Sequence, residues 1–538
     1  MNTLTINGYI NNYGFCCKKS NINKDVLTIL MNYFNVKPIL QYDENTKSFD
    51  VFYEDQKYIV LPKFVTNIII KLKDTLSIDN LNYNKLNFNI KKYSYKKTET
   101  NFNFLGNLRE HQINIVNFII NKFNSPQNIN LPKGGLIKLS CGSGKTIIAI
   151  YLSHLLKLKT LIVVHQEFLL DQWVERFTQF TNAKVGIIRQ DIIDTDNKDV
   201  VIAMLQSISV KDYDASVFNQ FGLVIYDEVH HLGSRVFSQA LLKTSSEYTI
   251  GLSATPERSD GLLKIINWHV GDILYTMEKK YSYKVLVKKI SFRSNDKLFK
   301  EKRRWIQGSI KPDNVAMMGN LMAIKTRNQL MINIIDTLKN YGRKIFVLSS
   351  RVEHLQILKN GIDELIKKAN EEHIYNTYYY MGKSKKGERK MAEKDGDIIF
   401  ATLQLAEEGL DISRLDTIII ALPVKKEKTL VQAIGRILRN DKLECLTQIP
   451  LVIDITDVLS IYSKWGAKRE NVYDKKNWYI QNYFWEDLDY IYKSSQSKNI
   501  NPMNIMFNDI IDEDFIENNL IIHDNKKDDK KDDKKDDK

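Results

Sequence analysis

Cysteine is scarce in this chain: Cys16, Cys17, Cys141 and Cys445 are the whole complement in 538 residues. No pair among them has metal-ligand spacing, which argues against a thiolate metal site or a disulfide framework and points to a reducing, intracellular compartment. No apolar run approaches the roughly 20 residues that a membrane span needs, so no membrane partner is expected. The start, Met1-Asn2-Thr3-Leu4-Thr5-Ile6-Asn7, lacks the basic region and apolar stretch of a secretory signal. No cysteine–histidine cluster and no nuclease-like set of carboxylates stands out, so a second activity is not expected. His230-His231 reads as a motif and its neighbour, not a metal site.

What is present is a soluble globular composition, 43% hydrophobic and 27% charged. The length is a soft prior for about three or four domains. A net charge of +13 is compatible with a polyanionic partner. Abundant Lys, Asn, Ile and Tyr suggest an A/T-rich genome.

The stretch that organises the rest is Leu139-Ser140-Cys141-Gly142-Ser143-Gly144-Lys145-Thr146. A short apolar strand, Gly135–Leu139, leads into it, and a helix opens at Thr146. Strand, glycine-rich turn and helix N-terminus form a phosphate-binding loop, in which backbone N–H groups wrap the phosphates. Lys145 supplies a point charge between the β and γ groups, and Thr146 offers a hydroxyl to Mg²⁺. Leu139 stands where the pattern's first glycine is usual.

Before this loop, residues 1 to about 95 read as a small domain with strands at Ile39–Tyr42, Phe49–Tyr53 and Lys57–Leu61. Asn82 to Thr98, rich in Lys, Asn and Tyr, reads as a linker. From about 100 to 270, strands at Thr160–Val164, Val200–Ala203, Leu223–Tyr226 and Tyr248–Leu252 alternate with helices. A second alternation carries strands at Lys344–Leu348, Asp397–Phe400, Thr417–Ala421 and Leu451–Ile455. The fold class predicted is α/β, with two parallel-sheet lobes and a cleft between them. Between the lobes, Lys284 to Lys311 reads as a basic insertion, including Lys288, Lys289, Arg293, Lys302, Arg303, Arg304 and Trp305. Trp478–Trp485 reads as packing onto the second lobe or as a docking surface. The repeated Lys/Asp unit from Lys526 to Lys538 has nothing apolar to bury and is expected to be disordered.

The strand Leu223–Tyr226 delivers Asp227-Glu228-Val229-His230 to its C-terminal end, where parallel sheets bind ligands. One carboxylate can hold Mg²⁺ beside a phosphate loop and its neighbour can position the attacking water. Ser253 and Thr255, at the end of the next strand, could relay between nucleotide and the second lobe. In that lobe, Arg436 and Arg439 share a helix face with Gln432 upstream, an arrangement suited to arginine fingers on a γ-phosphate. Gly409 and Asp411 could face nucleotide or nucleic acid.

The ordered series resembles a superfamily 2 helicase or translocase over residues 105–455. Leu108-Arg109-Glu110-His111-Gln112 resembles the adenine-reading element, with Arg109 and Gln112 implied at the base. Motif I is Ser140–Thr146, Ia lies in Leu161–Trp173, Ib in Ala203–Ile208, and II is Asp227–His230. Motif III is Ser253–Thr255, IV is Val347–Arg351, V runs from Ala401 to Asp411, and VI is Gln432–Arg439. Cysteine before the loop's glycine, valine in Asp-Glu-Val-His, and Arg258-Ser259-Asp260 after motif III resemble the XPB/UvsW-like group; Ser259 departs from that group's glutamate.

The resemblance implies tandem RecA-like lobes at 96–275 and 326–465, with a small α+β domain at 1–95. It places a thumb-like insertion at 276–325, either gripping a duplex or strapping the lobes, an extension at 466–524 and a tail at 525–538. It implies ATP and Mg²⁺, coupling through His230, Ser253 and Thr255, and nucleic-acid contacts from Trp173, Ser349, Arg351 and Thr402. DNA tracked 3′ to 5′ is the expected substrate, with RNA as the alternative and an ATP-gated scaffold as a third. An RNA polymerase or transcription factor is the expected partner. Large-DNA-virus members that release transcripts are the most similar type, which would place the protein in a viral factory or virion.

Overall fold

The computed structural model describes residues 3–39, 47–68, 70–71, 85–126, 132–140, 143–258, 260–277, 284–306, 308–369, 375–381, 386–408, 412, 414–425, 430, 434, 449–486, 506–510, 512, 514–515 and 519–520. Two compact units divide the chain, Met1–Lys279 and Lys280–Lys538.

Among the described residues the first unit holds two large sheets and the short pair Asn35–Val36/Phe49–Asp50. The smaller runs in the order Tyr53–Glu54, Tyr58–Leu61, Gly14–Lys18, Thr3–Asn11, Lys85–Ser94, Ile70–Lys71. The helix Lys24–Tyr33 packs against it, capped by Asn23, whose side chain accepts the Asp25 N–H at 2.8 Å. Residues 85–94, expected to be part of a linker, are therefore a strand, paired in parallel with Thr3–Asn11 from Thr3↔Lys85 to Asn11↔Ser94. Leu86 and Phe88 bury one face of it while Lys and Asn on the other meet water. The expected strand Phe49–Tyr53 is two short ones, Phe49–Asp50 and Tyr53–Glu54. Of the expected strand Ile39–Tyr42, Ile39 is not in a strand and the remainder lies outside the described residues.

This domain is fastened to the larger sheet by an enclosed cation. Lys63 is fully buried and its Nζ donates to the carbonyls of Ser246 at 2.7 Å, Glu247 at 2.8 Å and Lys133 at 3.1 Å, and to Thr249 Oγ1 at 3.1 Å. Burial holds its ammonium well below the ordinary lysine value. Beside it, Tyr33 and Phe34 pack on Trp268, with ring centroids 5.6 and 5.0 Å away.

Among the described residues the larger sheet of the first unit has eight strands, all paired in parallel except for the antiparallel edge strand Ile192–Ile193. Its middle reads Val200–Met204, Thr160–Val164, Leu223–Tyr226, Tyr248–Ser253, Lys133–Leu139. Helices cover these strands, so runs such as Thr160–Val164 are buried at every position and apolar from Leu161 on. The order brings the C-terminal ends of Lys133–Leu139, Leu223–Tyr226 and Tyr248–Ser253 to one edge.

Among the described residues the second unit has a seven-stranded, wholly parallel sheet: Thr377–Tyr380, Ile398–Thr402, Ile345–Ser349, Thr417–Ile420, Leu451–Asp457, Leu286–Arg293, Tyr479–Glu486. This corrects the expected basic insertion. Leu286–Arg293 is an interior strand, and Lys288 within it is wholly buried, bonded to Gln481 Oε1 and Asp509 Oδ1 at 2.6 Å each. What stands outside the sheet is the ribbon Arg303–Ile306/Ser309–Pro312. The aromatic run near the C-terminus is the edge strand Tyr479–Glu486 of the same sheet. Further ion pairs lie in the interior. Arg327 grips Asp457 with two bonds of 2.7 and 2.9 Å, and Arg469 grips Asp454 at 2.8 and 2.6 Å. The Lys/Asp repeat lies outside the described residues.

Candidate active site

The phosphate loop joins the strand Lys133–Leu139 to the helix Lys145–Leu156. Gly144 caps that helix at φ +79, a left-handed geometry that glycine takes without a Cβ penalty. A Cβ on Gly144 would lie 2.1 Å from Gln112 Nε2, so the loop and the start of the helix Glu110–Asn124 are packed directly together. Gln112 is buried, and its Oε1 accepts the Arg109 N–H at 2.9 Å. His111 Nε2 lies 3.3 Å from the Ser143 carbonyl. The element read as adenine-binding thus sits against the phosphate loop. Cys141 and Gly142 lie outside the described residues.

Asp227 and Glu228 come next along the same edge. Glu228 adopts φ 44, ψ 53, a left-handed backbone that is costly for a side-chain-bearing residue and is found where a site requires it. Its Oε1 lies 3.7 Å from Lys145 Nζ, which places the loop's cation and this carboxylate in one cluster. The Glu228 N–H donates to Asp227 Oδ1 at 3.0 Å. Burial, and then the neighbouring charge of Glu228, pushes the Asp227 carboxyl above the usual carboxylate range, opposed by Lys145 and by a bond from Trp173.

The residues read as coupling elements meet here. His230 Nδ1 lies 3.3 Å from Glu228 Oε2 and 3.3 Å from Ser253 Oγ. Ser253 Oγ reaches Glu228 Oε2 at 3.5 Å and accepts the Thr255 N–H at 3.1 Å. Sequence reasoning gave Arg258 no role in this cluster. Its guanidinium donates to the His230 carbonyl, and its Nε bonds Asp260 Oδ1 at 3.0 Å. The signal was the charge-complementary spacing of Arg258 and Asp260. The ring of His231 stacks on His165 at 3.9 Å between centroids, a contact no motif announced.

Two expected nucleic-acid contacts are corrected. Trp173 is 1% exposed on the helix Glu167–Phe180, and its indole N–H donates to Asp227 Oδ2 at 2.8 Å. It cannot stack on a strand; it orients the carboxylate of motif II. Ser349 is fully buried, its Oγ 3.3 Å from His354 Nδ1 and accepting the Arg351 N–H at 3.1 Å. The other two, Arg351 and Thr402, are partly exposed, and Thr402 is the register partner of Ser349 on the adjoining strand. Gly409, Asp411, Gln432, Arg436 and Arg439 lie outside the described residues.

The residues present fit a magnesium nucleotide. Ser143 Oγ is buried and has no hydrogen-bond partner among the described residues, an orphan donor inside the loop. Lys145 and Thr146 open a helix whose N-terminus favours anions. Asp227 is a carboxylate whose proton affinity is raised by burial and by the charge of Glu228. Mg²⁺ held by Thr146 and Asp227 would screen phosphate charge.

Residues 105–258 match the family model described as the res subunit of type III restriction enzymes, and residues 326–441 match that of the helicase conserved C-terminal domain. A protein of Acanthamoeba polyphaga mimivirus, named as a candidate ATP-dependent RNA helicase, is 32% identical over 506 residues, spanning 90% of each chain. The chain belongs to the superfamily 2 helicases. It is an ATP-hydrolysing enzyme with two tandem helicase domains of the RecA-like type. A helicase candidate of Invertebrate iridescent virus 6 is 28% identical across 71% of this helicase and 84% of its own length. An XPB-type DNA 3′-5′ translocase of Sulfurisphaera tokodaii is 36% identical over 169 residues, 29% of this helicase and 36% of the relative. Among the described residues no helix is long and apolar enough to cross a membrane.

Proposed function

We propose that this helicase is a DNA translocase of a large DNA virus, moving 3′ to 5′ and acting in transcript release or repair. The observation that carries its motor chemistry is the cluster around Glu228, whose Oε1 lies 3.7 Å from Lys145 Nζ and whose Oε2 lies 3.3 Å from His230 Nδ1. Lys145 holds the β and γ phosphates, and Thr146 and Asp227 would hold a magnesium ion that screens their charge. Glu228 positions the attacking water and accepts its proton. Gln432, Arg436 and Arg439 supply the amide and the cations offered to the γ-phosphate, the role their place in the motif order implies. His230 and Ser253 touch Glu228 directly, so a change at either is felt by the group that handles water.

The DNA substrate and the polarity rest on likeness to the XPB-type translocase, and the viral setting on the two viral relatives. Arg351 and Thr402 remain the proposed strand contacts. Domain limits near 95 and 275 are part of the same proposal. An RNA helicase is the second reading, favoured by the name of the mimivirus relative. Steady-state ATP hydrolysis with duplex DNA, single-stranded DNA and RNA of matched length separates them. Stimulation by DNA and not RNA supports the proposal, whereas equal or greater stimulation by RNA replaces it with the second reading. Absence of stimulation by all three leaves a partner-gated switch.

A further inference from the structure

Beyond the strand Tyr248–Ser253 the chain returns to the Asp227–His230 turn, and Arg258 makes the contact. Its side chain is 17% exposed. One amino group donates to the His230 carbonyl, while Nε and the other amino group engage both oxygens of Asp260. Asp260 is itself fixed. Its Oδ1 also accepts the Leu262 N–H at 3.1 Å, and its carbonyl accepts the Ile39 N–H of the small domain at 3.0 Å. Burial alone would raise the Asp260 carboxyl, but the guanidinium and the Leu262 N–H hold it below the usual range, an anion facing Arg258. The fit is tight on the other side too: a Cβ on Gly233 would lie 2.9 Å from Arg258 Nε. Gly233 ends the short 3₁₀ helix Val229–Gly233, whose N-cap is Glu228.

That N-cap needs holding. Glu228 sits at φ 44, ψ 53, a backbone that persists only where its surroundings over-determine it. The His230 ring meets Glu228 Oε2 at 3.3 Å, and the His230 carbonyl is the group that Arg258 grips. We propose that Arg258 is a positioning residue for ATP hydrolysis: held by Asp260, it fixes the His230 carbonyl and with it the strained turn that aims the Glu228 carboxylate at the attacking water. A planar guanidinium suits the task, because it can bind the carbonyl and both carboxylate oxygens at once. The proposal rests on Glu228 as the group that handles water, and adds the residue that keeps it in place.

The test is a double-mutant cycle on the full chain, read by single-turnover ATP hydrolysis, equilibrium ATP binding and melting temperature. Arg258→Ala is measured in wild type and in Glu228→Gln, with Arg258→Lys and Asp260→Asn beside it. Misaiming the carboxylate predicts hydrolysis about 10–100-fold slower in Arg258→Ala, with ATP affinity within about twofold of wild type. Arg258→Lys keeps a cation without the fork and recovers part of the rate. In Glu228→Gln the group being aimed is gone, so adding Arg258→Ala changes the rate by less than about twofold. A merely structural arginine would lower the rate by the same factor in both backgrounds, and that result overturns the proposal. Wild-type hydrolysis in both Arg258→Ala and Asp260→Asn overturns it as well. Should Arg258→Ala fail to fold, Asp260→Asn against Glu228→Gln completes the same cycle and is judged by the same two results. Wild-type hydrolysis in Glu228→Gln alone overturns the reading of Glu228 itself.

Discussion

Asp227 and Asp454 are aspartates of two parallel sheets, and their surroundings push them in opposite directions. Asp454 is entirely enclosed, yet its carboxyl is held below the usual range: burial alone would raise it, but the Arg469 guanidinium and the Tyr473 hydroxyl, 2.6 Å away, outweigh that penalty. Asp227 is less enclosed, yet its carboxyl is raised, because burial and Glu228 act against a cation that stands farther off. An enclosed carboxylate with a bidentate arginine is finished structure. One held by an indole N–H and left short of positive charge is prepared for a ligand. Burial by itself does not mark the functional residue; the state of its partners does.

Variants that empty each arrangement sharpen this contrast. The largest effect is expected at the unfinished site: Glu228→Gln should lower ATP turnover about 10²–10⁴-fold while ATP still binds, measured by single-turnover hydrolysis beside equilibrium nucleotide binding. The finished pair should instead answer in stability. Arg469→Met leaves Asp454 enclosed without its cation and should cost about 3–5 kcal/mol in denaturant unfolding.

Acid offers a smaller probe. Burial lowers His269 to about 4 and His354 to about 3 from 6.5, so both are neutral in the folded protein. The unfolded chain takes up their protons first, so stability is full above pH 6.5 and falls as pH drops towards those lowered values. At pH 5 each histidine should cost about 2 kcal/mol, read from urea unfolding at pH 7 and pH 5. Asp454, held low, keeps its contribution through that window. The smallest effect is expected at Trp173. Trp173→Phe keeps a ring in the pocket and removes the N–H, so the Mg²⁺ concentration for half-maximal nucleotide binding should rise about tenfold. An unchanged Mg²⁺ requirement would reduce Trp173 to packing.

The sequence made the nucleotide end of the molecule legible because its chemistry needs particular residues at fixed spacing. Lys145, Asp227 and Glu228 announce themselves, and uninterrupted apolar runs such as Leu223–Tyr226 and Leu161–Val164 can only be strands covered on both faces. Residues 85–94 were hidden because a half-exposed strand beside another chain segment shows water its Lys and Asn, the composition of a linker. Lys288 was hidden for the opposite reason: a lysine among basic neighbours reads as surface, and only the fold reveals Asp509 and Gln481 waiting for it. Trp173 lies in a motif, but which of its neighbours it meets, strand or carboxylate, depends on a contact across 54 residues that periodicity does not encode. The arginines of motif VI were legible as chemistry, and Gln432, Arg436 and Arg439 lie outside the described residues.

The central claim is that one ATP site, built on Lys145, drives the enzyme. Its most direct test is ATP hydrolysis by Lys145→Ala in the presence of the nucleic acid that best stimulates wild type. Loss of the phosphate counter-charge predicts turnover at background, with the variant folded by circular dichroism and melting temperature. Stimulated hydrolysis retained in Lys145→Ala would contradict the account.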